Sequence, residues 1–169
     1  MADPEPDVAT RPDALRELYL AEYQRLVGLA RLLVRDAGDA EDVVQDVFAR
    51  TWARRRHVRD DPLAYVHRAV VNQSRSRLRR HRTAAAHRPE PPAHVESAET
   101  GALRAGDSRA LVDSVRRLPQ RQRECVVLRF YADLTVPQIA SRLGLAEGSV
   151  KSHLHRAMAA LAQDLESHR

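Results

Sequence analysis

The stretch from Leu134 to Leu165, LTVPQIASRLGLAEGSVKSHLHRAMAALAQDL, constrains the fold of this chain most, because it spells out where one helix starts and stops and where the next begins. Thr135 can cap the first helix, Gln138 closes a capping box three residues on, and Pro137 is tolerated in the first turn. That helix buries Val136, Ile139, Ala140 and Leu143, and Gly144 supplies the left-handed residue that ends it. In the second helix, at about 100° per residue, Val150, Leu154, Ala157, Met158, Leu161 and Leu165 fall on one side and Ser149, Ser152 and Arg156 on the other. This is a helix-turn-helix pattern whose polar side is free to lie in a DNA major groove. Taken alone, the stretch also fits an ordinary helical hairpin with a solvated polar face.

The rest of the chain predicts an all-α protein. Valine and isoleucine recur at helical spacing and nothing alternates with period two over a useful length. With 169 residues the chain has room for one medium domain or two small ones, and with aromatics at only 4% the packing falls to leucine, valine and alanine.

Along the chain, residues 1–12 read as a disordered tail. A helix from Asp13 to about Val34 carries Leu15, Leu18, Tyr19, Leu26, Ala30 and Leu33 at core spacing, and Gly38 interrupts the pattern. Asp39 then caps a second helix, with Asp42 three residues later, and Val43, Val44, Val47, Phe48 and Trp52 form its apolar stripe. Its other side presents Glu41, Asp42, Gln45 and Asp46; acids favour a helix start, which accounts for the first two but not for the second pair.

After Arg54, Arg55 and Arg56 comes a loop, His57 to Asp61, and Asp61 caps a helix that begins at Pro62 and buries Leu63, Val66, Val70 and Leu78. Arg68, Arg75, Arg79 and Arg82 line another face of that helix, with Arg77 and Arg80 beside them. Between Pro62 and Arg88 there are seven arginines and no carboxylate. A solvated helix interleaves acids with its bases, so this segment predicts contact with a polyanion.

Residues 83–106 are rich in Ala, Pro, Glu and small polar residues and read as a linker between a domain at 13–82 and a second at 107–169. In the second, Leu111, Val112, Val115 and Leu118 form a short helix ending before Pro119. A further helix carrying Cys125, Val127, Leu128, Phe130 and Tyr131 packs beneath the helix-turn-helix, which makes four helices.

Cys125, the single cysteine, reads as a small buried apolar residue in a reducing compartment. No apolar run reaches the ~20 residues of a membrane span and no hydrophobic signal segment is present, so the expected location is the cytoplasm, without membrane insertion. His81, His87, His153 and His155 lack an acid or cysteine at metal-ligand spacing, and the chain has no glycine-rich phosphate loop, nucleophile motif or paired catalytic carboxylates. Neither a metal, a cofactor nor an enzymatic activity is expected.

Taken together, DAEDVVQDVFARTW (Asp39 to Trp52), DPLAYVHRAVVNQSRSRLRR (Asp61 to Arg80), RRLPQRQRECVVLRFYADLT (Arg116 to Thr135) and EGSVKSHLHRAMAAL (Glu147 to Leu161) resemble the extracytoplasmic-function (ECF) sigma factors of bacterial RNA polymerase. The resemblance covers nearly all of Asp13 to Leu165 and implies a region 2-like domain, a linker and a region 4-like domain. It places Asp42, Gln45 and Asp46 against the clamp helices of the polymerase β′ subunit and implies the β flap as a further polymerase contact. It also places Tyr65, Arg68, Asn72, Arg75, Arg79 and Arg80 at the −10 promoter element, where Tyr65 serves either for base stacking or for packing. The loop His57 to Asp60 matches the family's base-capture loop, and Ser149, Lys151, Ser152, His153, His155 and Arg156 lie on the helix that reads the −35 element. An anti-sigma factor is the implied regulator. Ser76 and His153 depart from the family's common aspartate and arginine, near DNA-contacting surfaces. SVKSHL also resembles the helix-turn-helix of two-component or LuxR-type regulators, so a stand-alone helix-turn-helix regulator is the alternative, although the first half shows no parallel-strand pattern of a receiver domain.

Overall fold

The computed structural model describes residues 12–55, 58, 61–86 and 105–167. These form seven α-helices and one π-helical turn, and no strand occurs among the described residues. The N-terminal unit is α1 (Pro12–Leu33), α2 (Ala37–Ala53) and α3 (Pro62–Ala86). The C-terminal unit is α4 (Ala105–Arg117), α5 (Gln120–Val126) with the π turn Val127–Tyr131, α6 (Val136–Leu143) and α7 (Glu147–Ser167). The expected tail, apart from Pro12, and most of the expected linker lie outside the described residues.

Leu26, Ala30 and Leu33 of α1, Val43, Val44 and Val47 of α2 and Val66, Val70 and Val71 of α3 are all buried, as helical spacing predicts. Asp61 accepts the backbone N–H of Ala64 at 2.9 Å ahead of Pro62, as expected of a cap. At the start of α2 the expectation was wrong. Asp36, not Asp39, occupies the cap and accepts from Gly38 N, so Gly38 lies inside the first turn. This leaves Asp39 free to face α3, where it meets Arg77 at 3.1 Å and His81 at 2.8 Å.

Trp52 does not complete the α2 stripe. It is 44% exposed, with the Arg55 guanidinium 5.1 Å from its ring centre, and Thr51 is buried in its place. The third helix continues to Ala86, four residues into the expected linker.

The helix-turn-helix agrees closely with the sequence. Thr135 and Gln138 form the reciprocal capping box, and Gly144 ends α6 at φ +64°. Ile139, Ala140, Leu143, Val150, Ala157 and Leu161 are buried, whereas Met158 and Leu165, expected on the same side of α7, are 48% and 40% exposed. The larger departure is the π turn, marked by the bond from Ala132 N to Val127 O. The extra residue rotates the end of the turn out of helical register, so Phe130 and Tyr131 leave the core they were expected to fill and are 60% and 39% exposed.

The two units are packed together. A single apolar core runs through both, with α1 against α4 and the π turn and α3 against α6. A Cβ on Gly28 would overlap the Tyr131 hydroxyl, so this glycine permits the close approach of α1 and the π turn.

Candidate nucleic-acid and polymerase interfaces

Three exposed surfaces carry the residues singled out by sequence. The first is the outer side of α2, where Asp42, Gln45 and Asp46 are all exposed. Their neighbours on α3 hold them in place: Arg77 Nη2 donates to Asp42 at 2.7 Å, and Gln73 Nε2 donates to Asp46 at 3.1 Å. Gln73 in turn accepts from Arg50 at 3.4 Å, so the amide connects an acid and a base of α2. Sequence reasoning missed Gln73 and Arg77 as supports of this patch, because contacts across some 27 to 35 positions leave no trace in local spacing.

The second surface lies on α3. Tyr65, Arg68, Asn72 and Arg79 recur at spacings that place them on one stripe, and all are exposed. Arg80 is exposed to one side of that stripe. The expectation that no carboxylate offsets these arginines was half right. Among the described residues Arg68, Arg79, Arg80 and Arg82 have no acid within ion-pair distance, but Arg77 pairs with Asp39 and Asp42 and Arg75 with Glu124. Arg75 also donates to Asn72 at 3.1 Å. Beneath the stripe, burial beside the guanidinium groups of Arg142 and Arg25 lowers the His67 pKa to about 4, against a raising effect of Asp61, so the imidazole is neutral at physiological pH. The loop expected to capture a base lies outside the described residues except for Val58, which is buried.

The third surface is the outer side of α7. Lys151, Ser152, His155 and Arg156 together line an open, shallow groove, and Ser149 is exposed beside it. His153 stands apart from them: it is half-buried and its Nδ1 is enclosed without a hydrogen-bond partner. Cys125 lies deep in the C-terminal unit, where burial first and the Glu124 charge second raise its pKa to about 11 and leave it unreactive as a thiolate. Among the described residues no group of three His, Cys, Asp or Glu side chains is arranged to hold a metal, and no helix is long and apolar enough to cross a membrane.

Residues 18–84 match the family model of sigma-70 region 2, and residues 108–161 that of sigma-70 region 4. The chain is 33% identical over 157 residues to the RNA polymerase sigma-E factor of Streptomyces avermitilis, covering 89% of this chain and 87% of that protein. It is 34% identical over 152 residues to the ECF RNA polymerase sigma factor SigM of Mycobacterium tuberculosis, covering 89% of this chain and 76% of the relative. The chain belongs to the ECF sigma factors. As a sigma factor it is a transcription initiation factor of RNA polymerase, and its two units are the family's regions 2 and 4. Its fold is shared with the Bartonella quintana sigma factor RpoE, solved in complex with the anti-sigma factor NepR, at a TM-score of 0.77, 24% identity and coverage of 94% of this chain and all of that one.

Proposed function

We propose that this sigma factor divides its work among three surfaces, one each on α2, α3 and α7. Asp42, Gln45 and Asp46 dock on the β′ clamp helices of core polymerase, while the region 4 unit meets the β flap. Tyr65, Arg68, Asn72, Arg75, Arg79 and Arg80 engage the −10 element and help to open it, the arginines through phosphates and Tyr65 by stacking. Ser149, Lys151, Ser152, His155 and Arg156 read the −35 element in the major groove, with His153 at the edge of that surface. The units so used are α1 to α3 (residues 12–86) and α4 to α7 (residues 105–167), so the stretch 83–106 read as a linker is shortened at both ends by helix. The chain acts in the cytoplasm, needs no cofactor and catalyses nothing itself, and an anti-sigma factor regulates it.

The observation that carries this reading is the opposite charge of the two faces built on the α2–α3 pair. Exposed carboxylates stand on α2, and on α3 stand arginines with no acid within ion-pair distance among the described residues. A protein that only bound nucleic acid has no use for the acidic face, whereas a factor that bridges a polymerase and its promoter needs both.

The decisive experiment is capture of bacterial core polymerase by the purified chain, repeated with Asp42→Ala/Asp46→Ala. Stoichiometric capture is expected, weakened by roughly tenfold or more in the double variant, with binding of isolated −35 duplex by the same variant unchanged. DNA binding without polymerase capture would favour the stand-alone regulator instead.

A further inference from the structure

Glu124 is a charged side chain only 2% exposed, set in α5 at the crevice between the two units. Its carboxylate is crowded with donors. From the other unit, Arg75 Nε reaches Oε1 and Arg75 Nη2 reaches Oε2, each at 2.6 Å, the two-pronged geometry that a guanidinium also forms with phosphate. From its own helix, Gln120 donates at 3.0 Å and Arg121 at 3.4 Å. A carboxylate this deeply buried is tolerable only while its partners stay in place, and Arg75 is the partner that fixes the position of one unit against the other. Two further contacts keep the same register: Arg116 of α4 donates to the Arg31 carbonyl at 2.9 Å, and Tyr131 seats against Gly28.

Arg75 belongs to the arginine set of α3 proposed to contact promoter DNA, and Glu124 is the acid that a second unit brings to that set. We infer that Glu124 is an internal stand-in for a DNA phosphate, so that the free chain closes α5 over part of its own −10 face and promoter DNA must displace it. The inference rests on the reading of Arg75 as a DNA contact. The acidic face of α2 stays exposed in the closed arrangement, so polymerase can be engaged before the units part. Closure of about nine molecules in ten would lower the apparent DNA affinity about tenfold.

The test uses the full chain with dyes on cysteines placed at the exposed positions Ala49 and Ala159, Cys125 being buried. Energy transfer reports the separation of the units, and a fluorescent single strand of mixed base composition reports DNA binding. Glu124→Gln is expected to lower transfer and to tighten DNA binding about tenfold. Arg75→Gln, made on the opposite unit, is expected to lower transfer to the same level, so a local folding defect in α5 cannot imitate opening. Unchanged transfer in both variants overturns the closure. Reduced transfer without tighter DNA binding overturns the phosphate stand-in. In that case, adding Arg75→Ala to Glu124→Gln locates the fault: no further loss of DNA binding means that the Arg75 assignment itself was wrong.

Discussion

His67 is neutral because it lies buried beside two cations, and this choice ties folding to pH. In the folded chain its pKa is about 4, against an ordinary value of 6.5 once it is unfolded. Between those values the unfolded chain binds more protons than the folded one, so stability present above pH 6.5 is lost as the pH falls towards 4. A shift of this size corresponds to about 3 kcal/mol. Urea denaturation across that range should show the midpoint falling steadily with pH in the native chain. In His67→Gln, which cannot take up the proton, the slope should be shallower; an unchanged slope would assign the acid sensitivity to other groups. Because Arg142 comes from α6, this residue of α3 also senses the packing of the C-terminal unit.

Among the elements, α6 depends on two end signals that act independently. Thr135→Ala removes the capping box at its start and should cost about 1 kcal/mol. Gly144→Ala forces a side chain into the left-handed region at φ +64°, and although no atom stands within 4 Å of the added Cβ, the backbone conformation alone should cost about 1–2 kcal/mol. Thermal melts should show both losses, and the double variant should show their sum, because the two residues share no partner.

These signals explain why the helix-turn-helix was legible in sequence. Its caps, its glycine and its apolar period lie within a few residues of one another, and local geometry decides each. The start of α2 was misread because Asp36 and Asp39 are both good caps, and what separates them is the pull of Arg77 and His81 on Asp39 from α3. Phe130 and Tyr131 were misread because a π turn adds one residue to a helical repeat without altering the composition. The residues proposed for the three surfaces could be picked out as residue types at helical spacing, and most of them are exposed. Their supports, Gln73 beneath Asp46 and Glu124 across from Arg75, were not, since long-range pairing depends on tertiary packing that periodicity does not encode.

At the scale of the whole molecule, the arginines of α3 divide into those paired with an acid and those with no acid within ion-pair distance among the described residues, and salt should distinguish them. Binding to DNA releases counterions in proportion to the phosphates contacted, so each arginine on a phosphate adds roughly 0.7–0.9 to the slope of log affinity against log salt. Arg79 has no acid within reach among the described residues, whereas Arg77 is 23% exposed and held between Asp39 and Asp42. Arg79→Ala should therefore weaken DNA binding and reduce the salt slope by about one phosphate, with little change in the urea midpoint. Arg77→Gln should do the reverse: the salt slope stays, while stability falls by about 1–3 kcal/mol because Asp39, only 12% exposed, loses a charged partner. An equally reduced slope in both variants would mean that the ion pairs across α2 and α3 open when DNA binds, and that the acidic face seen in the free chain is rebuilt on the promoter.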